Sequence, residues 1–182
     1  MNKKERIKKS KFLSLVLRHQ PETIGLTLDK AGWVDVTCLL QQLDKYGSHM
    51  SLAELDELVE TDNKQRYHFS ADKTRIRASQ GHSINIDLDL KPSAPPAVLY
   101  HGTASRFMAS ILREGLLRGS RHHVHLSTDK ETALAVGKRH GLPVILQIAA
   151  KRMQRDGFSF YCSDNGVWLV EHVPPAYFEH CL

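Results

Sequence analysis

The sequence predicts an α+β protein in two parts. Three observations carry this: apolar residues recur at helical spacing before residue 90, extended apolar runs prevail after residue 98, and prolines crowd the stretch between. Lys91-Pro92-Ser93-Ala94-Pro95-Pro96 cannot continue a helix or a central strand, so it reads as a stiff linker. The parts are therefore residues 1–90, a linker over 91–97, and residues 98–182. A chain of 182 residues lets each part bury a modest core.

Residues 3–19 read as a helix, with Phe12, Leu13, Val16 and Leu17 as its apolar stripe and lysines on the other side. Pro21 ends it and leaves Arg18 and His19 on the last turn, where cations also suit the helix dipole. Gly32-Trp33-Val34 reads as a short extended piece. Asp35 or Thr37 then starts a helix through Leu39, Leu40 and Leu43, with Tyr46-Gly47 as its exit. Ser51-Leu52-Ala53-Glu54 is a capping box, followed by a stripe of Leu52, Leu55 and Leu58. Residues 66–69 and 74–77 flank the turn-forming Ser70-Ala71-Asp72-Lys73, which predicts a hairpin. On that second strand Arg75 and Arg77 share one face, and Ile76 and Ala78 the other. Three helices followed by a hairpin is the order of a winged-helix module, an architecture that binds nucleic acid in some proteins and protein in others.

Beyond the linker, Val98-Leu99-Tyr100 reads as the end of a buried strand, and His101-Gly102-Thr103 leads toward a helical pattern through Ser105, Phe107, Ile111 and Leu112. A histidine at a strand end, a glycine that admits close approach and a hydroxyl at a helix entry suit a ligand pocket, though an ordinary turn explains them too. Gly115 and Leu116 close the helix, and Arg118-Gly119-Ser120-Arg121 is a basic loop. Over residues 122–127, period two puts Val124 and Leu126 on one face and His123, His125 and Ser127 on the other. No carboxylate or cysteine at familiar spacing completes a zinc site there, so no metal is expected. Thr128-Asp129-Lys130-Glu131 reads as a second capping box, opening a helix that closes at Gly137-Lys138-Arg139-His140-Gly141. Residues 143–148, 158–161 and 167–170 read as strands, the last two joined by the turn Ser163-Asp164-Asn165-Gly166.

Composition narrows the function classes. No apolar run approaches a membrane span and no apolar segment follows Met1–Arg6, so the expectation is a cytoplasmic protein with no membrane partner. Cys38, Cys162 and Cys181 are odd in number and lack Cys-x-x-Cys spacing, against a disulfide framework or a zinc knuckle. The net charge of +5 is concentrated: residues 1–20 hold seven Lys or Arg against Glu5 alone. That segment suits a polyanion such as nucleic acid, and a solvated helix face accounts for it equally.

Taken in order, Leu17-Arg18-His19, Arg77-Ala78-Ser79-Gln80-Gly81-His82-Ser83, Tyr100-His101-Gly102-Thr103, Val124-His125-Leu126-Ser127, Val136-Gly137-Lys138-Arg139-His140-Gly141 and Asn165-Gly166-Val167-Trp168-Leu169 resemble the motifs of one family. It is the RNA 2′-phosphotransferases (tRNA 2′-phosphotransferase type), which use NAD to remove an internal 2′-phosphate from RNA. The resemblance covers nearly the whole chain. Ser79 is a small departure, since many relatives have Asn there.

The resemblance implies a winged-helix-like RNA-binding lobe over 1–90 and an NAD-binding lobe of the ADP-ribosyltransferase fold over 98–182. In that fold a first-strand His, a second-strand aromatic or His and a third-strand residue define the NAD site; here they fall on His101, His125 and Val167. His101, Gly102 and Thr103 are implied to hold NAD, with Ser127 nearby and the loop around Arg118 a weaker candidate. Arg18, His19, Arg77 and Arg139 are implied as the catalytic residues, a cationic nest for the RNA 2′-phosphate. The implied partners are NAD and 2′-phosphorylated RNA, with the protein a monomer.

The implied chemistry has two steps. The 2′-phosphate displaces nicotinamide from its ribose carbon, giving an ADP-ribosylated 2′-phospho-RNA. The adjacent 2″-hydroxyl then attacks phosphorus, freeing 2′-hydroxyl RNA and ADP-ribose 1″,2″-cyclic phosphate. No residue is implied as general base for the second step. Many ADP-ribosyltransferases carry a glutamate where this chain has Val167. A carboxylate about 5 Å from the phosphate, at an effective dielectric of about 20, would be repelled by roughly 3 kcal/mol per unit charge, and valine removes that repulsion. Two rival readings remain open. One is an ADP-ribosyltransferase that stops after the first step, on nucleic-acid phosphate ends or on protein. The other is a non-catalytic winged-helix nucleic-acid binder.

Overall fold

The computed structural model describes residues 1–181; Leu182 and the side chains of His180 and Cys181 lie outside the described residues. The chain is α+β and divides into two compact units, Met1–Asp89 and Leu90–Leu182. Among the described residues no helix is long and apolar enough to cross a membrane, and Cys38 and Cys162 are free thiols.

In the first unit, α1 (Lys3–Arg18) starts at Asn2 in a reciprocal capping box with Glu5 and buries Leu13, Val16 and Leu17 completely. Pro21 opens a short 3-10 turn, Pro21–Ile24, so the helix ends before it. After β1 (Val34–Asp35), the side chain of Asp35 accepts from Cys38 N at 2.8 Å and caps α2 (Val36–Lys45); of the two possible starts, Asp35 is the one used. Ser51 and Glu54 form the capping box of α3 (Leu52–Glu60). Leu52, expected on its apolar stripe, is instead 53% exposed: it is the first helical residue and points away from the core that Leu55 and Leu58 enter.

The hairpin pairs β2 (Tyr67–Phe69) with β3 (Arg75–Ala78), and β1 adds to β3, for an antiparallel order β1-β3-β2. Ile76 and Ala78 are fully buried while Arg75 and Arg77 take the other face, as alternation requires. Asp72 organises the turn, accepting from Ser70 Oγ at 2.6 Å and from Thr74 N at 3.1 Å; these donors hold its carboxyl at about 2.

The second unit runs β4 (Leu99–Ala104), α4 (Met108–Glu114), β5 (Leu116–Leu117), β6 (Val124–Leu126), α5 (Lys130–Gly137), β7 (Pro143–Ile148), α6 (Ala150–Arg155), β8 (Phe160–Cys162), β9 (Trp168–Val170), β10 (His172–Val173) and β11 (Phe178–Cys181). The sheet orders are β11-β7-β4, β6-β9-β8 and β10-β5. Leu99, Leu126, Leu146, Ile148 and Phe160 form the heart of its core. Part of the proline-rich stretch is laid along β8, with Ser93 N donating to Phe160 O at 2.8 Å.

Two expectations about this unit need correction. His101-Gly102-Thr103 does not leave the strand: β4 pairs with β7 at all six positions, Leu99↔Ile148 through Ala104↔Pro143, and Thr103 is buried within it. That long partner holds the chain extended until Ser105 begins a 3-10 turn. The cap of α5 is Asp129 rather than Thr128, because its carboxylate accepts from both Glu131 N and Thr132 N.

Candidate functional site

In the first unit Arg18 and His19 stand at the end of α1. Arg18 closes that helix, and its Nη2 donates to Arg66 O at 3.2 Å, with the guanidinium 5.9 Å from the Tyr67 ring. Ser79 N, just beyond β3, donates to the same carbonyl at 2.8 Å. The loop that follows is tied back to the helix end: Ser83 N donates to Arg18 O at 3.0 Å, and Ser83 Oγ lies 2.9 Å from His19 Nδ1. The fold thus brings Arg18 and His19 to the loop that leaves β3, the strand of Arg77.

Arg77 itself is held on three sides. Nε donates to His68 Nε2 at 3.0 Å, Nη1 donates to Ala31 O at 3.4 Å, and the guanidinium carbon stands 4.6 Å from the centre of the Trp33 ring. Arg75 also lies over Trp33, at 5.3 Å. The sequence reading did not single out His68 or Trp33. A turn over residues 70–73 would set His68 opposite Arg75, whereas Ser70 pairs with Arg75 in the structure and His68 stands directly across the hairpin from Arg77.

In the second unit, Tyr100 and Ser127 exchange two backbone hydrogen bonds of 2.8 Å, fastening β4 to the end of β6. This brings His101 to His125: the imidazole Nδ1 of His101 donates to His125 O at 3.0 Å. Burial pushes the His101 imidazole below its ordinary 6.5, the His125 carbonyl opposes that, and the Arg121 and His140 charges add to it. His101 is therefore neutral near pH 7, with its proton on Nδ1 and a lone pair on Nε2. Arg121 Nη1 lies 3.2 Å from His125 Nδ1. Ser127 Oγ accepts from Asp129 N at 3.0 Å.

Val167 stands just before β9, whose Trp168 pairs with Leu126. Its backbone is fixed by Ser163, which both donates to Val167 O and accepts from Val167 N. Arg139 is exposed in the turn after α5, its N donating to Val136 O at 3.1 Å. Gly102 has a different reason to be glycine from the one anticipated. A Cβ there would fall 1.7 Å from Ala133 O, so the space is taken by α5 rather than kept for a ligand. Arg118 lines an open pocket of about 450 Å³ together with His122, His123, Phe158, Tyr161 and His172. Among the described residues no group of three or more His, Cys, Asp or Glu is arranged to hold a metal ion.

Comparison with known proteins agrees with the motifs. A family model described as RNA 2′-phosphotransferase, Tpt1 / KptA family, matches residues 4–172. The chain is 55% identical over 170 residues to a probable RNA 2′-phosphotransferase of Flavobacterium johnsoniae, covering 93% of each chain. It is 57% identical over 169 residues to one of Hahella chejuensis, covering 93% of this chain and 91% of that one. With both the motifs and nearly the full length matched, the chain belongs to the RNA 2′-phosphotransferase family.

Proposed function

We infer that the protein removes an internal 2′-phosphate from RNA by passing it to NAD, releasing 2′-hydroxyl RNA, ADP-ribose 1″,2″-cyclic phosphate and nicotinamide. The observation that carries this beyond family membership is His101. Its Nδ1–H is committed to the His125 carbonyl and its charge is suppressed by burial, so Nε2 accepts a hydrogen bond, as a ribose hydroxyl requires. Ser127 adds a hydroxyl at the same strand junction. These residues fit the ribose of a dinucleotide. Gly102 and Thr103 contribute by fixing the strand that presents His101: the first admits α5, and the second is buried beside it.

NAD, when bound, supplies a ribose carbon with a leaving group and a neighbouring hydroxyl. The chain's task is then to hold a dianionic nucleophile and later to stabilise charge on phosphorus. Arg18, His19, Arg77 and Arg139 take that role. Guanidinium groups grip phosphate oxygens bidentately and stay charged at any working pH. Val167 leaves the third position of the NAD-site pattern without a carboxylate. Three helices and a hairpin support a winged-helix reading of the first unit, and the His101, His125 and Val167 placements support an ADP-ribosyltransferase reading of the second.

The test is an oligonucleotide carrying one internal 2′-phosphate, incubated with and without NAD and resolved by product. NAD-dependent loss of the phosphate with release of the cyclic phosphate is the expected result. A stable ADP-ribosylated RNA would instead favour a transferase that stops after the first step. An unchanged oligonucleotide in the presence of folded protein and NAD would overturn the reading.

A further inference from the structure

We propose that His68 is a positioning residue for Arg77, acting through a directed hydrogen-bond relay that ends on the backbone. This rests on the proposed role of Arg77 in gripping the RNA phosphate. The direction of each link follows from what the groups can do. Arginine Nε carries a proton and can only donate, so His68 Nε2, at 3.0 Å, must offer a lone pair. The proton of the neutral imidazole is then on Nδ1, which faces Ser79 Oγ at 3.3 Å. Ser79 Oγ spends its own proton on Gln65 O at 2.7 Å, so it accepts from the histidine. One tautomer satisfies all three contacts, and a protonated His68 satisfies none of the arrangement at Nε2.

The surroundings give the relay a purpose. Trp33 meets His68 edge-on, with ring centres 5.2 Å apart, and presents its face to the Arg77 guanidinium. The indole lies under the guanidinium carbon and His68 holds Nε, so the side chain is restrained from two directions. With Nε–H committed to His68 and Nη1 to Ala31 O, the guanidinium is held in one orientation. Arginine has many rotamers, and binding that must freeze them costs affinity or rate; a side chain already held avoids that cost. Ser79 is 3% exposed, so its hydroxyl is a buried link of the relay rather than a surface polar group.

The experiment compares Arg77→Ala, His68→Ala, His68→Gln and Ser79→Ala in the full chain, with turnover of the 2′-phosphorylated oligonucleotide and nitrogen NMR of the side chains. Glutamine can place a carbonyl oxygen where Nε2 stands. Expected are a fall in kcat of about tenfold for His68→Ala with KM for NAD unchanged, recovery of most of it in His68→Gln, and a slowly exchanging Arg77 Nε–H signal in the wild type that His68→Ala abolishes. The His68 ring should show the Nδ1–H tautomer. His68→Ala at wild-type kcat, while Arg77→Ala is severely impaired, would overturn the proposal. So would an Arg77 Nε–H signal unaffected by His68→Ala, or the opposite tautomer. Wild-type turnover by Arg77→Ala would instead remove Arg77 from the proposed function, and the NMR signals would still decide whether His68 holds it.

Discussion

The carbonyl oxygen of Ala133 occupies the space in which a side chain on residue 102 would begin. A Cβ built on Gly102 falls 1.7 Å from it, and one on Gly137, at the other end of the same helix contact, falls 2.6 Å from Thr103 O. β4 and α5 therefore pack backbone to backbone, which holds the strand carrying His101 against a helix that cannot retreat without leaving the core. Gly102→Ala should destabilise the second unit by at least about 3 kcal/mol, the upper part of the range for overpacking, because the clash is with main chain on both sides. Gly137→Ala should cost less. Thermal melts of the two variants check the order, and an unperturbed Gly102→Ala melt would refute the packing argument.

Acid should weaken the protein through its depressed histidines. Burial lowers both His101 and His123 from 6.5. Below that value the unfolded chain binds protons that the native chain resists, so native stability is fully present above about 6.5 and falls as the pH drops toward the native values. Ring NMR titration should place the His101 midpoint below 6.5, and the melting temperature should decline over the same interval. A midpoint at or above 6.5 would contradict the burial argument.

Val167→Glu should restore the repulsion that valine removes. At roughly 3 kcal/mol per unit charge, phosphate transfer should slow by about 10²-fold or more while the fold survives, since Val167 is only half-buried. Val167→Gln, of similar size and uncharged, separates charge from bulk: it should lose much less. Equal losses would make the effect steric.

Arg77→Ala should cut turnover by at least about 10²-fold, the scale for losing one preorganised electrostatic donor. His101→Ala should impair NAD use more than RNA binding. Isothermal binding of each substrate to each variant distinguishes the two, and a reversed pattern would exchange the roles assigned to the units.

Asp35→Ala should cost about 1 kcal/mol, the usual loss for a helix cap, read as a lower urea midpoint at unchanged slope. A variant within a few tenths of wild type would mean that water replaces the cap at no loss.

Local chemistry explains what was legible in the sequence. The caps at Asp35 and Ser51, the stop before Pro21 and the turn around Asp72 each involve residues within five positions of one another, and each reads directly from the chain. The same holds for α+β as a class and for the family motifs. What escaped depends on partners far along the chain. The extent of β4 follows from β7, about forty residues later, and the reason for Gly102 lies in α5. The short α6, with only Ala150 and Met153 buried, has too few turns to show a period. The histidine at 68 becomes meaningful only when the hairpin register sets it opposite Arg77. Strands β5, β10 and β11 are brief edges whose identity comes from pairing rather than from pattern.

The two tryptophans fall one in each unit, Trp33 beneath its pair of guanidiniums and Trp168 against the second core. The molecule consequently carries two separate optical channels. Replacing either indole with phenylalanine leaves emission from the other unit alone, so a single denaturation series can show whether the halves melt in step. The Trp33 channel also watches the arginine stacked on it, and a shift in its emission when phosphorylated RNA is added would report that guanidinium changing company.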